Sequence, residues 1–145
     1  MNVPFLIGRS IFGGYFVYNG INHFKQRAML AQYAGSKKVP MPEAAVIGSG
    51  ALMLLGGTSL VLGVQPKLGI AAVAGFLVSV SPVMHDFWRV EDPGQRAGEM
   101  VNFSKNMALL GAAFALTGVR EPWPASLAHP RPSRVERVRK LVRAA

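Results

Sequence analysis

The sequence predicts an all-α protein: a bundle of four antiparallel transmembrane helices followed by a basic amphipathic helix or tail. Three observations lead to this prediction, namely four long apolar runs, few charged residues and short connections between the runs. Half of the 145 residues are hydrophobic and 16% are charged, against ~25% charged in ordinary soluble domains. We therefore expect the chain to lie in a membrane.

Each apolar run is close to the ~20 residues that an α-helix needs to cross a bilayer core. The runs are Val3 to Phe24, Ala44 to Val64, Leu68 to Trp88 and Met100 to Val119. Only a few residues join the second run to the third, so these two helices are expected to be antiparallel neighbours. The chain then divides into a four-helix membrane domain, residues 1–120, and a basic interfacial tail, residues 121–145.

Small residues recur at near-helical spacing in the last three runs. They are Gly48, Ser49, Gly56 and Gly57, then Gly69, Ala72, Gly75 and Ser79, then Ala108, Gly111, Ala112 and Ala115. Helices in lipid gain little from burying apolar surface against one another, and they approach closely through small side chains. We expect these residues to serve packing, since no phosphate-binding loop follows a strand.

The tail is predicted to lie on anionic lipid headgroups. Ser133 to Glu136 fits a capping box, and one face of the short helix that it starts is apolar, with Val135, Val138, Leu141 and Val142. The cations facing the lipid surface would be Arg134, Arg137, Arg139, Lys140 and Arg143. Nucleic-acid binding is the alternative for a basic tail, but no recognition motif accompanies it. Trp123, between two prolines, is expected at headgroup depth.

Strongly polar residues gather at three run ends, which share one membrane face in a four-span protein whichever way it inserts. These residues are Asn19, Asn22 and His23, then His85, Asp86 and Trp88, then Asn102, Lys105 and Asn106. Ionisable groups within spans are costly and usually pair, so we expect Asp86 to pair with Lys105. The sequence leaves open whether this polar cluster binds a ligand or only holds three helix ends together.

The chemistry open to the polar cluster is limited. His85 and Asp86 are the candidates for proton transfer, because imidazole titrates near neutral pH and a carboxylate fixes its tautomer. No metal site is predicted, since His23, His85 and Asp86 lack a recognised ligand spacing. The chain has no cysteine, which excludes disulfides, thiolate metal sites and dithiol redox chemistry carried by this chain.

Several short motifs resemble the DoxX family of small four-span bacterial membrane proteins. They are Arg9 with the run into Gly20-Ile21-Asn22-His23-Phe24, then Phe87-Trp88, then Asn102 with Lys105-Asn106 before Ala108-Leu109-Leu110-Gly111. The likeness covers about Ile7 to Gly118, and it implies a four-helix bundle in the bacterial inner (cytoplasmic) membrane. Members of this family include a subunit associated with thiosulfate:quinone oxidoreduction and proteins linked to membrane redox or oxidative-stress complexes. Only Asn22, Trp88, Lys105 and Asn106 are taken as family-like positions.

The expected function is that of an accessory or structural subunit of a membrane redox or respiratory complex, rather than an independent catalyst. A quinone or a lipid headgroup is a compatible ligand of the polar cluster. Other membrane subunits and anionic lipid are the expected partners, and a homo-oligomer is compatible with the sequence. More Lys and Arg lie on the side of the termini, which favours cytoplasmic termini.

Two other functions are weighed against the accessory role. The first is a catalytic quinone-linked oxidoreductase subunit, in which His85 and Asp86 move protons and Trp88 covers the ring. The second is a small transporter or channel. It is disfavoured because the second and third runs carry no charge at mid-membrane depth.

Overall fold

The computed structural model describes residues 3–127, and the regular structure in that range is entirely helical. The elements are α1 (Val3–Lys25), α2 (Arg27–Ser36), α3 (Pro42–Leu62), α4 (Pro66–Met84), a 3-10 turn (Phe87–Arg89) and α5 (Pro93–Thr117). Two segments, Pro42–Leu62 and Pro66–Arg89, are long and apolar enough to cross a membrane. The tail cations Arg134, Arg137, Arg139, Lys140 and Arg143 lie outside the described residues.

Proline marks the start of three of these helices. Pro42, Pro66 and Pro93 each stand in the first turn of their helix, where the missing backbone N–H has no partner to lose. At α5 the Asp92 carboxylate also accepts a 2.7 Å hydrogen bond from the backbone N–H of Gln95, which caps the helix. Helix α5 therefore begins within the polar stretch that precedes the last apolar run.

Helices α1 and α3 pack backbone to backbone through glycines. A Cβ on Gly13 would lie 2.7 Å from the Gly57 carbonyl oxygen, and a Cβ on Gly20 would lie 2.8 Å from the Leu54 nitrogen. The contact made further along α1, by Gly20, falls earlier in α3 than the contact made by Gly13. The two helices are therefore antiparallel. The approach is one that only small residues permit.

Helices α3 and α4 form a tight hairpin. Gly63 ends α3 with φ +68°, a left-handed conformation that glycine adopts without strain. Beyond the turn, Gly69 approaches α3 so closely that a Cβ on it would lie 2.5 Å from Ser59 Oγ. Gly56, Gly57 and Gly69 thus pack as the sequence predicts, whereas a Cβ on Gly48, Gly75 or Gly111 would meet nothing within 4 Å.

The core lies between the four long helices, and the chain after α5 folds back onto it. Fully buried core side chains include Phe16, Met53, Leu60, Val73 and Leu77. Residues 119–127, here called the return segment, are fixed to the α3–α4 turn. The Ser126 hydroxyl donates to the Gly63 carbonyl at 2.7 Å, and the Leu127 N–H to that of Leu62 at 3.1 Å. Trp123, predicted at headgroup depth, is 3% exposed and packs inside the protein.

Candidate functional site: a cavity with two histidines

A cavity of about 420 Å³ lies between the helices, with residues of all five α-helices in its wall. Most of that wall is apolar, and it includes Phe16, Met53, Phe76 and Leu77. Polar side chains line the cavity as well, among them Asn19, His23, Tyr33, His85 and Asn106. This volume falls in the ~300–1,000 Å³ range of pockets for small molecules. An apolar wall with a few polar groups suits an amphipathic ligand.

Both histidines of the cavity wall use Nδ1 in a hydrogen bond with an oxygen. His23 Nδ1 lies 3.0 Å from the backbone carbonyl oxygen of Asn19, one helical turn earlier. His85 Nδ1 lies 2.7 Å from Glu99 Oε2. Helix α4 ends at Met84, and α5 has already begun at Pro93. The corner between these helices therefore brings His85 to Glu99 although 14 positions separate them.

The short helix α2 and the residue that caps its end add two further polar side chains to this corner. The Tyr33 hydroxyl lies 3.3 Å from Glu99 Oε1 and 3.5 Å from the Met84 carbonyl oxygen. Lys37 Nζ lies 2.6 Å from Asp86 Oδ1. Lys37 and Asp86, with side chains 19% and 16% exposed, form a largely shielded ion pair. We call Tyr33, Lys37, His85, Asp86 and Glu99 the corner network.

The corner network shifts the pKa values of Tyr33 and Lys37. The hydrogen bond to Asp86 raises the pKa of Lys37, although burial alone would lower it, and Tyr33 and Glu99 add to the rise. Burial is the largest cause of the raised pKa of Tyr33, followed by the charge of Glu99. Both shifts favour the protonated side chain.

The predicted pairing of Asp86 with Lys105 is wrong. Asp86 pairs with Lys37 instead, because α2 crosses beside the end of α4. Lys105 is exposed, and within residues 3–127 it has no ion-pair partner. Lys105 lies near the start of the last apolar run, where a long flexible stem can carry the amine toward the headgroups without a carboxylate partner.

The structure brings together only part of the predicted polar cluster. Asn19, His23, His85 and Asn106 line the cavity, and Asn22, Asp86, Trp88, Asn102 and Lys105 do not. Trp88 forms an edge-to-face aromatic group with Phe87 and Phe103 and stays 49% exposed. A ligand role for these residues stays a prediction.

Sequence reasoning missed Tyr33, Lys37 and Glu99. The signal for the first two is their i, i+4 spacing in the connection after the first run, where a helix brings both side chains to one face. For Glu99 the signal is the Asp92-Pro93 pair, an N-cap followed by a first-turn proline. That pair starts the helix early enough to include Glu99.

A second buried polar group, Arg9, lies near the other end of α1. Its side chain is 4% exposed, and Nη2 donates to the Ala125 carbonyl at 3.0 Å. The guanidinium carbon lies 5.8 Å from the Phe5 ring centre and 5.9 Å from that of Trp123. Nε and Nη1 are buried without a hydrogen-bond partner among the described residues. Arg9 thus joins α1 to the return segment.

Comparison with known proteins was made at the level of families, curated proteins and solved structures. A family model described as DoxX matches residues 5–86, more than half of the chain. The chain belongs to the DoxX family. No curated protein and no solved structure matches it.

The DoxX match covers α1 to α4 and ends at Asp86. It therefore includes both cavity histidines, His23 and His85. It also includes Tyr33, Lys37 and Asp86 of the corner network. Glu99 and Asn106, which α5 contributes, lie beyond the matched residues. Family membership and two apolar spanning-length helices make this a membrane protein of the DoxX family.

Proposed function

We propose that the four long helices all cross the membrane as an antiparallel bundle. Helices α1 and α5 have 23 and 25 residues, enough to span a bilayer core at ~1.5 Å per residue. Large apolar side chains face outward on both: Ile7, Ile11 and Tyr18 on α1, and Val101 and Phe114 on α5. Such faces suit contact with lipid. The bacterial inner membrane, with cytoplasmic termini, is the location that we propose.

The proposed function is that of an accessory subunit of a membrane redox complex, binding a quinone-type molecule in the cavity. The observation that carries the proposal is the cavity itself: apolar walls over about 420 Å³ with two histidines among its polar groups. A quinone has the same division, a planar ring with polar oxygens and an apolar tail. Such pockets gain affinity from apolar burial and orientation from a few polar contacts.

An accessory role fits the composition. The chain has no cysteine, so it cannot hold a dithiol or a thiolate-bound cluster. In our proposal, electrons reach or leave the bound ring through a partner subunit, while this chain supplies the binding pocket. A lipid headgroup is the competing occupant of the same cavity.

Purification in a mild detergent tests this proposal. The protein, carrying a C-terminal affinity tag, is isolated from native membranes, and co-purifying proteins and extracted lipids are identified by mass spectrometry. We expect a redox-active membrane subunit and a quinone near one per chain. A Phe76→Trp variant is purified in parallel. Its larger side chain in the cavity wall should exclude the quinone ring, so the quinone should be missing from this variant. Recovery of phospholipid alone from both proteins would contradict quinone binding.

One observation favours a catalytic subunit as the second candidate. The Glu99 carboxylate contacts His85 Nδ1 at 2.7 Å, the arrangement that orients an imidazole for proton transfer. If His85 transfers protons in the native complex, His85→Gln should lower turnover by ~10²–10⁴-fold at unchanged assembly. In the accessory role, turnover per assembled complex should stay within a few-fold.

A further inference from the structure

The two cavity histidines have the same assigned tautomer. The Asn19 carbonyl oxygen has no proton to give, so His23 Nδ1, 3.0 Å away, carries the hydrogen and donates it. His85 Nδ1 faces Glu99 Oε2 at 2.7 Å, and the other oxygen of that carboxylate faces the Tyr33 hydroxyl. A carboxylate that meets two N–H or O–H groups acts as the acceptor for both. His85 is therefore also assigned the Nδ1–H form.

In a neutral imidazole with Nδ1 protonated, Nε2 holds a lone pair and accepts hydrogen bonds. No side chain or backbone group of residues 3–127 donates to Nε2 of His23 or of His85. Both histidines line one cavity, so we infer that each presents its unpaired acceptor nitrogen to a ligand bound there. Asn106, also in the wall and without a hydrogen-bond partner in the described chain, can both donate and accept.

A hydroquinone and a quinone differ in the hydrogen-bonding character of the same two oxygens. The hydroquinone donates through two hydroxyl groups, whereas the quinone has only carbonyl acceptors. A carbonyl opposite an acceptor nitrogen leaves both groups unpaired, and unpaired buried polar groups weaken binding more than a good pair strengthens it. The histidine pair therefore distinguishes the two redox forms.

We propose that the cavity holds the reduced, dihydroxy form of its ring-headed ligand in preference to the oxidised form. This inference rests on the proposed function, since it needs a quinone-type ligand in the cavity. Preferential binding of the reduced form makes the reduction potential of the bound couple more positive, by about 30 mV per tenfold preference for a two-electron couple. The site then binds the quinol that a quinone-reducing enzyme produces.

Anaerobic calorimetry on the full-length protein in detergent at pH 8.5 tests the preference. The probes are one short-chain dimethoxybenzoquinone and its quinol, at a pH where an unperturbed imidazole is neutral. We expect the quinol to bind about tenfold tighter. Quinone binding as tight as quinol binding would overturn the inference while leaving the proposed function intact. No binding of either form up to millimolar concentration would instead refute the proposed function.

Two variants connect the preference to the histidines. His85→Asn keeps an amide N–H that can donate to Glu99 but removes Nε2, and His23→Asn does the same toward the Asn19 carbonyl. We expect the quinol-to-quinone preference to fall about threefold or more in each variant, mainly through weaker quinol binding. Ser104→Ala is the control, because Ser104 is exposed and, in the part of the chain that the structure describes, its hydroxyl donates within its own helix to the Met100 carbonyl. An undiminished preference in both histidine variants would overturn the inference.

Discussion

At the Arg9 end of α1 one cation is buried among aromatic rings, whereas at the His23 end, about 21 Å along the helix, polar groups meet in pairs around a cavity. Arg9 is 4% exposed, and within residues 3–127 it has one neutral acceptor, the Ala125 carbonyl. The corner network joins Lys37 to Asp86 and His85 to Glu99, with side chains still 13–22% exposed.

The difference shows what each end can do. The Arg9 guanidinium lies against Phe5, Trp123 and Gly63 of the α3–α4 turn, and its contacts fix the return segment to the bundle. The corner network lies beside open volume, and Nε2 of His85 has no partner among residues 3–127. We expect changes near Arg9 to alter stability and changes near His85 to alter binding.

The largest effect should come from Gly57→Ala, which disturbs both ends together. Its Cβ would lie 2.6 Å from the Gly13 carbonyl oxygen and 2.8 Å from the Val17 nitrogen, so α1 and α3 must separate. We expect about 3 kcal/mol of destabilisation, measured by thermal unfolding in detergent. Gly48→Ala on the same helix meets nothing within 4 Å and should be neutral or slightly stabilising. Equal effects of the two variants would contradict the close packing.

Arg9→Ala should lower stability at one end of α1 without changing ligand binding at the other. The variant loses the stem packing against Phe5 and Trp123 and the bond to Ala125, and we expect the free energy of unfolding to fall by about 2 kcal/mol. Arg9→Met fills most of that volume without a buried charge, so its loss should be about 1 kcal/mol or less. Quinol affinity of both folded variants, measured by calorimetry, should match that of the unaltered protein. A methionine variant as unstable as the alanine variant would mean that the charge itself is stabilising.

A double-mutant cycle on Lys37→Met and Asp86→Asn should give a coupling free energy of about 1–2 kcal/mol. Removing one partner leaves the other partly buried charge uncompensated, whereas removing both relieves it. Thermal unfolding of the two single variants and the double variant measures the coupling. The matched cycle on Lys105→Met and Asp86→Asn should be additive within ~0.5 kcal/mol. Coupling between Lys105 and Asp86, with additivity between Lys37 and Asp86, would instead support the pairing expected from the sequence.

Raising the pH into the alkaline range should give the smallest change in stability. The pKa values of Lys37 and Tyr33 are raised in the folded protein, so the folded state holds these protons more tightly than the unfolded state. Their contribution to stability is complete below the unfolded pKa values of ~10–10.5 and is lost as pH rises through the higher folded values. As pH rises above about 10, the unfolding temperature of the unaltered protein should therefore fall more steeply than that of a Tyr33→Phe, Lys37→Met double variant. Identical slopes would argue against the shifts.

Much of the fold could be predicted because it depends on local patterns. Apolar run length predicts spanning helices, and the short Gly63–Pro66 connection predicts a hairpin, since a few residues cannot join parallel helices. The site was harder to predict. The i, i+4 spacing of Tyr33 and Lys37 shows that they share a helix face, but not which helix end that face meets.

The sequence by itself determined the helical membrane character, the small-residue contacts of Gly56, Gly57 and Gly69, and the presence of two histidines at run ends. Only the tertiary structure decided that Lys37, rather than Lys105, neutralises Asp86 and that Glu99 orients His85. Hydrophobic periodicity is a property of neighbouring residues and can be read along the chain. Ion pairs between helices depend on the angle and offset at which those helices pack, which many side chains set together.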